Sequence, residues 1–217
     1  MNTLAASIEI GIHPAFALLI GGLFACFLRG RFASLTMVFA PVLGLWYVST
    51  LEVGSYSSMH LFGCEIMSVV VDSQAKLFGY LFHLAALVAG IYSFHLRDPW
   101  QISMALFYAA TAVGVAFAGD MLSLFLWWEG LAITSVFQIW SRRTKRAEDA
   151  GFRYLFFHVS SGLLLLAGIL IRFHEEGSSA LSLASLTDSL EGGDLGAVLI
   201  LLAIGTKAAF PGLHVWL

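Results

Sequence analysis

The chain has 217 residues, of which 59% are hydrophobic and only 12% charged. Soluble domains carry about 25% charged residues, so this composition excludes a water-soluble fold and predicts a single all-α integral membrane domain over 1–217. The net charge of −3 leaves no electrostatic footprint for nucleic acid, and Cys26 and Cys64 fall in no metal-binding spacing.

Apolar runs lie near 14–28, 34–51, 73–96, 100–118, 121–140, 151–172 and 195–217. With their flanking residues they predict seven transmembrane helices of roughly the ~20 residues a bilayer requires. Residues 1–13 lack the basic start of a signal peptide, so the first run is expected to stay as a span. Pro14 and Pro99 sit at expected first-turn positions, where the missing N–H costs nothing. Pro41, inside the second run, predicts a kink. Residues 52–72 alternate weakly around Gly63 and include β-branched residues 69–71, which predicts a small outer β-hairpin. Ala110, Gly114 and Ala118 repeat every four residues, a spacing that permits close approach of a neighbouring helix. Ordinary small-residue content accounts for them equally well. Leu183, Leu186 and Leu190 recur at helical spacing within 174–193 and predict a short helix lying on the membrane surface.

Orientation follows from the basic residues of the short loops. With the N-terminus outside, the inner loops hold Arg29, Arg31, Arg97, Arg142, Arg143, Lys145, Arg146 and Arg153, eight of the eleven lysines and arginines. The outer side holds Lys76 and Arg172, and Lys207 lies within the membrane. The N-terminus is therefore expected outside.

Glu129 stands in the middle of 122–137, LSLFLWWEGLAITSVF. At 1.5 Å per residue it lies roughly 13 Å from either end of its run. An acid at that depth costs ~2.5–3.5 kcal/mol and as a rule marks an ion pathway. The bland reading is a protonated glutamic acid that cements two helices. Lys207 lies at similar depth in the last run, with Pro211 and Gly212 shortly after it. Proline removes a helical donor and clashes four residues back, so the seventh helix is expected to break near Pro211–Gly212. Breaks at mid-membrane are where transporters build ion sites; the bland reading of Lys207 is a lysine snorkelling from an interface. A Glu129–Lys207 pair at ~5 Å, with an effective dielectric of ~20, would attract by ~3 kcal/mol. Opening and closing it would change the lysine's grip on its proton about a hundredfold.

Histidines form a second constellation. His83 and His158 lie inside the third and sixth runs, and His214 follows the expected break. A neutral imidazole both accepts and donates a proton, so such a set could relay to Lys207; a hydrogen bond to a nearby backbone explains each equally well. His13, His60, His95 and His174 are expected near interfaces and solvated. A haem held between His83 and His158 is a remote alternative, and a non-transporting structural subunit is another. No glycine-rich phosphate cradle occurs, and no cofactor or metal is expected.

Residues 119–129, GDMLSLFLWWE, resemble the D-x-L-x-x-F-x-x-W-E pattern of the fifth helix in antiporter-like membrane subunits. Residues 206–217, TKAAFPGLHVWL, are similar to the broken seventh helix of that family, and Asp72 resembles the acid that opens its third. The family comprises the large proton-translocating membrane subunits of respiratory complex I and subunits A and D of multisubunit Na⁺/H⁺ antiporters. The resemblance implies that Glu129 and Lys207 are its paired carboxylate and proton-carrying lysine, that His214 is the histidine after the break, and that His158 has no firm counterpart. It implies an ion-transport subunit rather than an enzyme, in a bacterial inner membrane, with other membrane subunits as partners and H⁺, with Na⁺ or K⁺ in exchange, as cargo. Members have about fourteen helices with two inverted five-helix repeats. On that pattern helices 1–3 occupy 1–98 and an incomplete first repeat occupies 99–217. A truncated frame or split subunit, unable to translocate ions alone, is the expectation.

Overall fold

Four of the helices open on an aspartate and one on a threonine, each accepting a hydrogen bond from a first-turn N–H. Asp72 accepts from Ala75, Asp98 from Trp100, Asp120 from Leu122 and Ser123, Thr144 from Ala147, and Asp194 from Gly196 and Ala197. Side-chain caps of this kind satisfy donors that the helix itself leaves orphaned. The structure, a computed structural model, describes residues 12–61, 64–177, 182, 186, 193–214 and 216. Its elements run α1 (Phe16–Phe27), α2 (Arg31–Thr50), β1 (Gly54–Leu61), β2 (Cys64–Val71), α3 (Ser73–Tyr92), α4 (Pro99–Phe117), α5 (Met121–Trp140), α6 (Lys145–Glu176) and α7 (Leu195–Lys207).

Seven helices are thus present among the described residues. Five of them, α2 to α6, are long and apolar enough to cross a membrane. The other two, α1 and α7, have 12 and 13 residues. At 1.5 Å per residue those reach ~18–20 Å, short of a ~30 Å hydrocarbon core.

Helix α1 packs on α2 and α4, α2 on α3, α4 on α5, α5 on α6, and α6 on α7. One apolar core, with Leu18, Val48, Leu106 and Phe117, joins α1 to α4. A second, with Met121, Leu165, Ile169 and Ile200, joins α5 to α7. The expected hairpin forms, antiparallel from Gly54 opposite Val71 to Leu61 opposite Cys64. It is tied to the bundle where the Gly119 N–H donates to the Met67 carbonyl at 3.1 Å. At the opposite end Arg143 meets Asp98 at 3.4 Å, and Arg97 donates to Ser34. The loops rich in arginine therefore gather at one end and the hairpin at the other.

The structure refines several expectations and corrects others. Pro14 precedes the N-cap of α1, Ala15, rather than sitting in its first turn. Helix α2 runs as one element through Pro41. The carbonyl four residues back, that of Met37, lies against Gly90 of α3, where a Cβ would collide with it. The gap left by Gly114 is filled by the Trp127 ring of α5, so the small-residue repeat accommodates a side chain. Leu186 packs on the second core, whereas Leu183 and Leu190 lie outside the described residues. Arg172, near the end of α6, is fully buried; it pairs with Glu176 and Asp194, both at 3.3 Å.

The last helix ends earlier than its proline. It stops at Lys207, and Ala209 adopts φ +56. The Phe210 N–H donates to Gly205 and the Ala209 N–H to Thr206, which is a Schellman motif with alanine at the left-handed position. Phe210 covers Gly205, and Pro211 follows outside the helix. A left-handed L-residue costs ~1–2 kcal/mol, partly offset by the entropy that glycine would lose. Ala209→Gly should therefore stabilise by ~0.5–1 kcal/mol, seen as a higher unfolding midpoint in micelles; a lower midpoint would contradict the cap.

Candidate proton-handling site

Three helices bring the candidate residues together. Glu129 lies midway along α5, and its carboxylate rests against Gly162 of α6, where a Cβ would strike it. One helical turn earlier on α6 is His158, 1% exposed. Ser161, on the same turn, donates to the Ala203 carbonyl of α7 at 2.9 Å. One turn beyond Ala203 comes Lys207, whose ammonium donates at 2.6 Å to the carbonyl of Trp128, the residue before Glu129. The same Nζ lies 4.2 Å from the centre of the Trp128 ring. Glycine at 162 is what allows α5 to press its acid onto α6, and the Ser161 bond fixes α7 against the same turn.

Acid and base do not touch. Among the described residues Lys207 and Glu129 form no ion pair within 4 Å. Their charges nonetheless act on each other, and Lys207 also acts on His158. Oε1 of Glu129, both ring nitrogens of His158 and Nε1 of Trp128 are buried without a hydrogen-bond partner among the described residues. Buried polar atoms are ordinarily satisfied, by protein or by ordered water. Four such atoms lie on neighbouring turns of α5 and α6.

His158 is flanked by two aromatic rings. Tyr154 lies 3.9 Å away centroid to centroid and Trp216 4.7 Å. The Trp216 indole N–H donates to the Thr206 carbonyl at 2.8 Å, which ties the end of the chain back beside Lys207. His214 is elsewhere: it is exposed, and its Nδ1 accepts from the Gly212 N–H at 3.3 Å. Pro211 and Gly212 are exposed too, in the turn after the helix. Three of the four expected residues therefore converge, and His214 does not.

His83 takes the bland reading. Its Nδ1 lies 2.7 Å from the Gly79 carbonyl and its ring fills the space left by Gly44. It belongs to the α2–α3 pair and His158 to the α5–α7 group, so the two do not face one another across a haem-sized gap. His13, expected solvated, instead stacks at 4.7 Å on Trp127. Burial pushes its imidazole down to about 4, so it is neutral at pH 7. The residue that sequence reasoning missed is Trp128, which offers Lys207 both a carbonyl and a ring face; its place beside the deep acid was the available signal.

Residues 118–217 match the family model described as NADH:quinone oxidoreductase/Mrp antiporter, TM. Over these residues, just under half of the chain, it is similar to antiporter-like membrane subunits. Both antiporter-like motifs, 119–129 and 206–217, fall inside the matched region, together with α5, α6 and α7. A curated relative, NADH-quinone oxidoreductase subunit N of Hirschia baltica, is 27% identical over 136 residues, covering 61% of this chain and 29% of its own length. In fold, the chain is similar to one from the membrane-bound sulfane sulfur reductase, an archaeal respiratory membrane complex. The TM-score is 0.80 at 24% identity, over 94% of this chain and 35% of that one. The fold shared with that chain thus extends to α1–α4, and the chain spans about a third of the length of these relatives.

Proposed function

We propose that this antiporter-like chain supplies one proton-handling site to a larger membrane assembly of the complex I or Mrp type, with other membrane subunits as partners. It would move H⁺ through Glu129, Lys207 and His158, with exchange for Na⁺ or K⁺ as the antiporter-type extension. The observation that carries this reading is the seat of Lys207. Its ammonium rests on the backbone of α5 beside the acid, held by a carbonyl and a ring face rather than by a closed ion pair. A lysine held that way can give up its proton without first tearing a salt bridge apart, and Glu129 and His158 are the nearest groups in the cluster able to receive one. The gathering of arginines at one end supports an inner face there and an outward N-terminus, in a bacterial inner membrane. His214, exposed in the turn after α7, would serve as an exchange point with solvent rather than as part of the buried cluster.

Glu129→Gln tests the reading, because it keeps shape and removes the ionisable group. In vesicles carrying the assembled complex, substrate-driven acidification read by a pH-sensitive dye should fall at least tenfold, as expected when a group that must ionise is deleted. Unchanged acidification with normal assembly would assign the chain a structural role instead.

A further inference from the structure

We infer that the turn joining α5 to α6 is a binding site for the phosphodiester of an anionic phospholipid. Four cations crowd this turn: Arg142, Arg143, Lys145 and Arg146. Two are already matched by acids. Arg143 pairs with Asp98, and Lys145 with Glu148 and Asp149 at 3.3 and 3.2 Å. Arg142 and Arg146 have no acid within 4 Å among the described residues, and both are exposed. These two line one cavity of about 350 Å³, with Thr144 between them and Ile139, Ala147 and Ala150 as its apolar wall. Thr144 is also the N-cap of α6, so the positive end of a 32-residue helix opens at the same place.

An independent feature sets the depth of this cavity in the bilayer. Trp100, Phe137, Trp140 and Phe152 form a continuous chain of ring contacts at 5.4–5.7 Å. Trp100 and Phe152 are 48% and 57% exposed. Tryptophans such as Trp100 and Trp140 gather at headgroup level. The cavity therefore presents two unmatched guanidinium groups at the height of lipid phosphates, with an apolar wall for the glycerol and upper acyl carbons. Guanidinium forks suit phosphate oxygens, and basic pockets beside membrane helices take anionic headgroups. A free phosphate shares the oxygen chemistry but has no use for the apolar wall.

Native mass spectrometry of the purified chain in detergent provides the test, with dioleoyl-phosphatidylglycerol and dioleoyl-phosphatidylcholine as probes. One phosphatidylglycerol should be retained in preference to phosphatidylcholine. Arg142→Gln and Arg146→Gln should each weaken retention about fivefold and the double variant ~25-fold, while Arg143→Gln stays near the parent. Arg142→Lys with Arg146→Lys keeps the charge and should keep most of the binding, which shows that loss in the glutamine variants is not misfolding. Equal retention of both lipids, or a double glutamine variant that binds like the parent, would overturn the proposal. So would displacement of the lipid by millimolar inorganic phosphate, which would mark a site for a soluble anion.

Discussion

Lys207→Ala, in the assembled complex, should cut proton translocation by about a hundredfold, the change in proton affinity that a nearby charge can impose at this depth. Lys207→Arg should cut it nearly as far. Arginine keeps the positive charge and can still donate to the Trp128 carbonyl, so a lysine needed only as a strut between α7 and α5 would be replaced well. A guanidinium, however, does not release its proton in proteins. The pair of variants therefore separates proton transfer from packing: loss in both supports a proton carrier, and recovery by arginine would reduce Lys207 to a structural donor. Dye-monitored acidification in vesicles, normalised to the amount of assembled complex, gives the reading.

The second large effect is on stability. Arg172→Ala should destabilise the α6–α7 unit by ~3 kcal/mol or more, because it leaves Asp194 without the cation that neutralises it. Arg172 is completely buried and Asp194 only 18% exposed, whereas Glu176 is 38% exposed and contributes less. The arginine stem also covers Gly196, next to the point where Gly168 and Gly196 bring the two backbones together. Combining Arg172→Met with Asp194→Asn should recover much of the loss. Methionine fills the stem's volume, and asparagine can still cap α7 without a charge. Unfolding midpoints in micelles would show the single variant well below the parent and the double variant between them. A single variant as stable as the parent would mean that the pair contributes nothing. On the proposed function the register of α7 would matter, because Lys207 is its last residue and slippage at Asp194 would be carried along the helix to the ammonium.

Much of this was legible in the residues themselves. Apolar runs divided by arginine-rich loops announce a membrane bundle, since lipid leaves helices as the natural way to satisfy the backbone. Asp72, Asp98, Asp120 and Asp194 each stand just before an apolar run, and each became an N-cap. Glu129 and Lys207 stood out because a charge flanked by nine or so apolar neighbours has a cost visible in the sequence. The hairpin followed from alternation within 52–72. Failures came where a neighbour decided the outcome. The burial of Arg172 was not legible because its partner Asp194 is 22 positions away (194 minus 172). His13 read as solvated because nothing nearby in sequence announces Trp127 beneath it. The position of the α7 terminus was set by Ala209 turning left-handed, ahead of the proline.

By itself the sequence determined that this chain lives in a membrane, where its helices begin, and which charges lie deep, because each of those depends on the transfer of nearby residues out of water. Only the tertiary structure decided who meets whom. It put Lys207 on the Trp128 carbonyl instead of directly on the Glu129 carboxylate, placed His158 within the cluster and left His214 outside it. Contacts such as that of Lys207 with Trp128, 79 positions apart, depend on how helices cross, and that is settled by side-chain volume at the crossings, here the absent side chains of Gly162, Gly168 and Gly196.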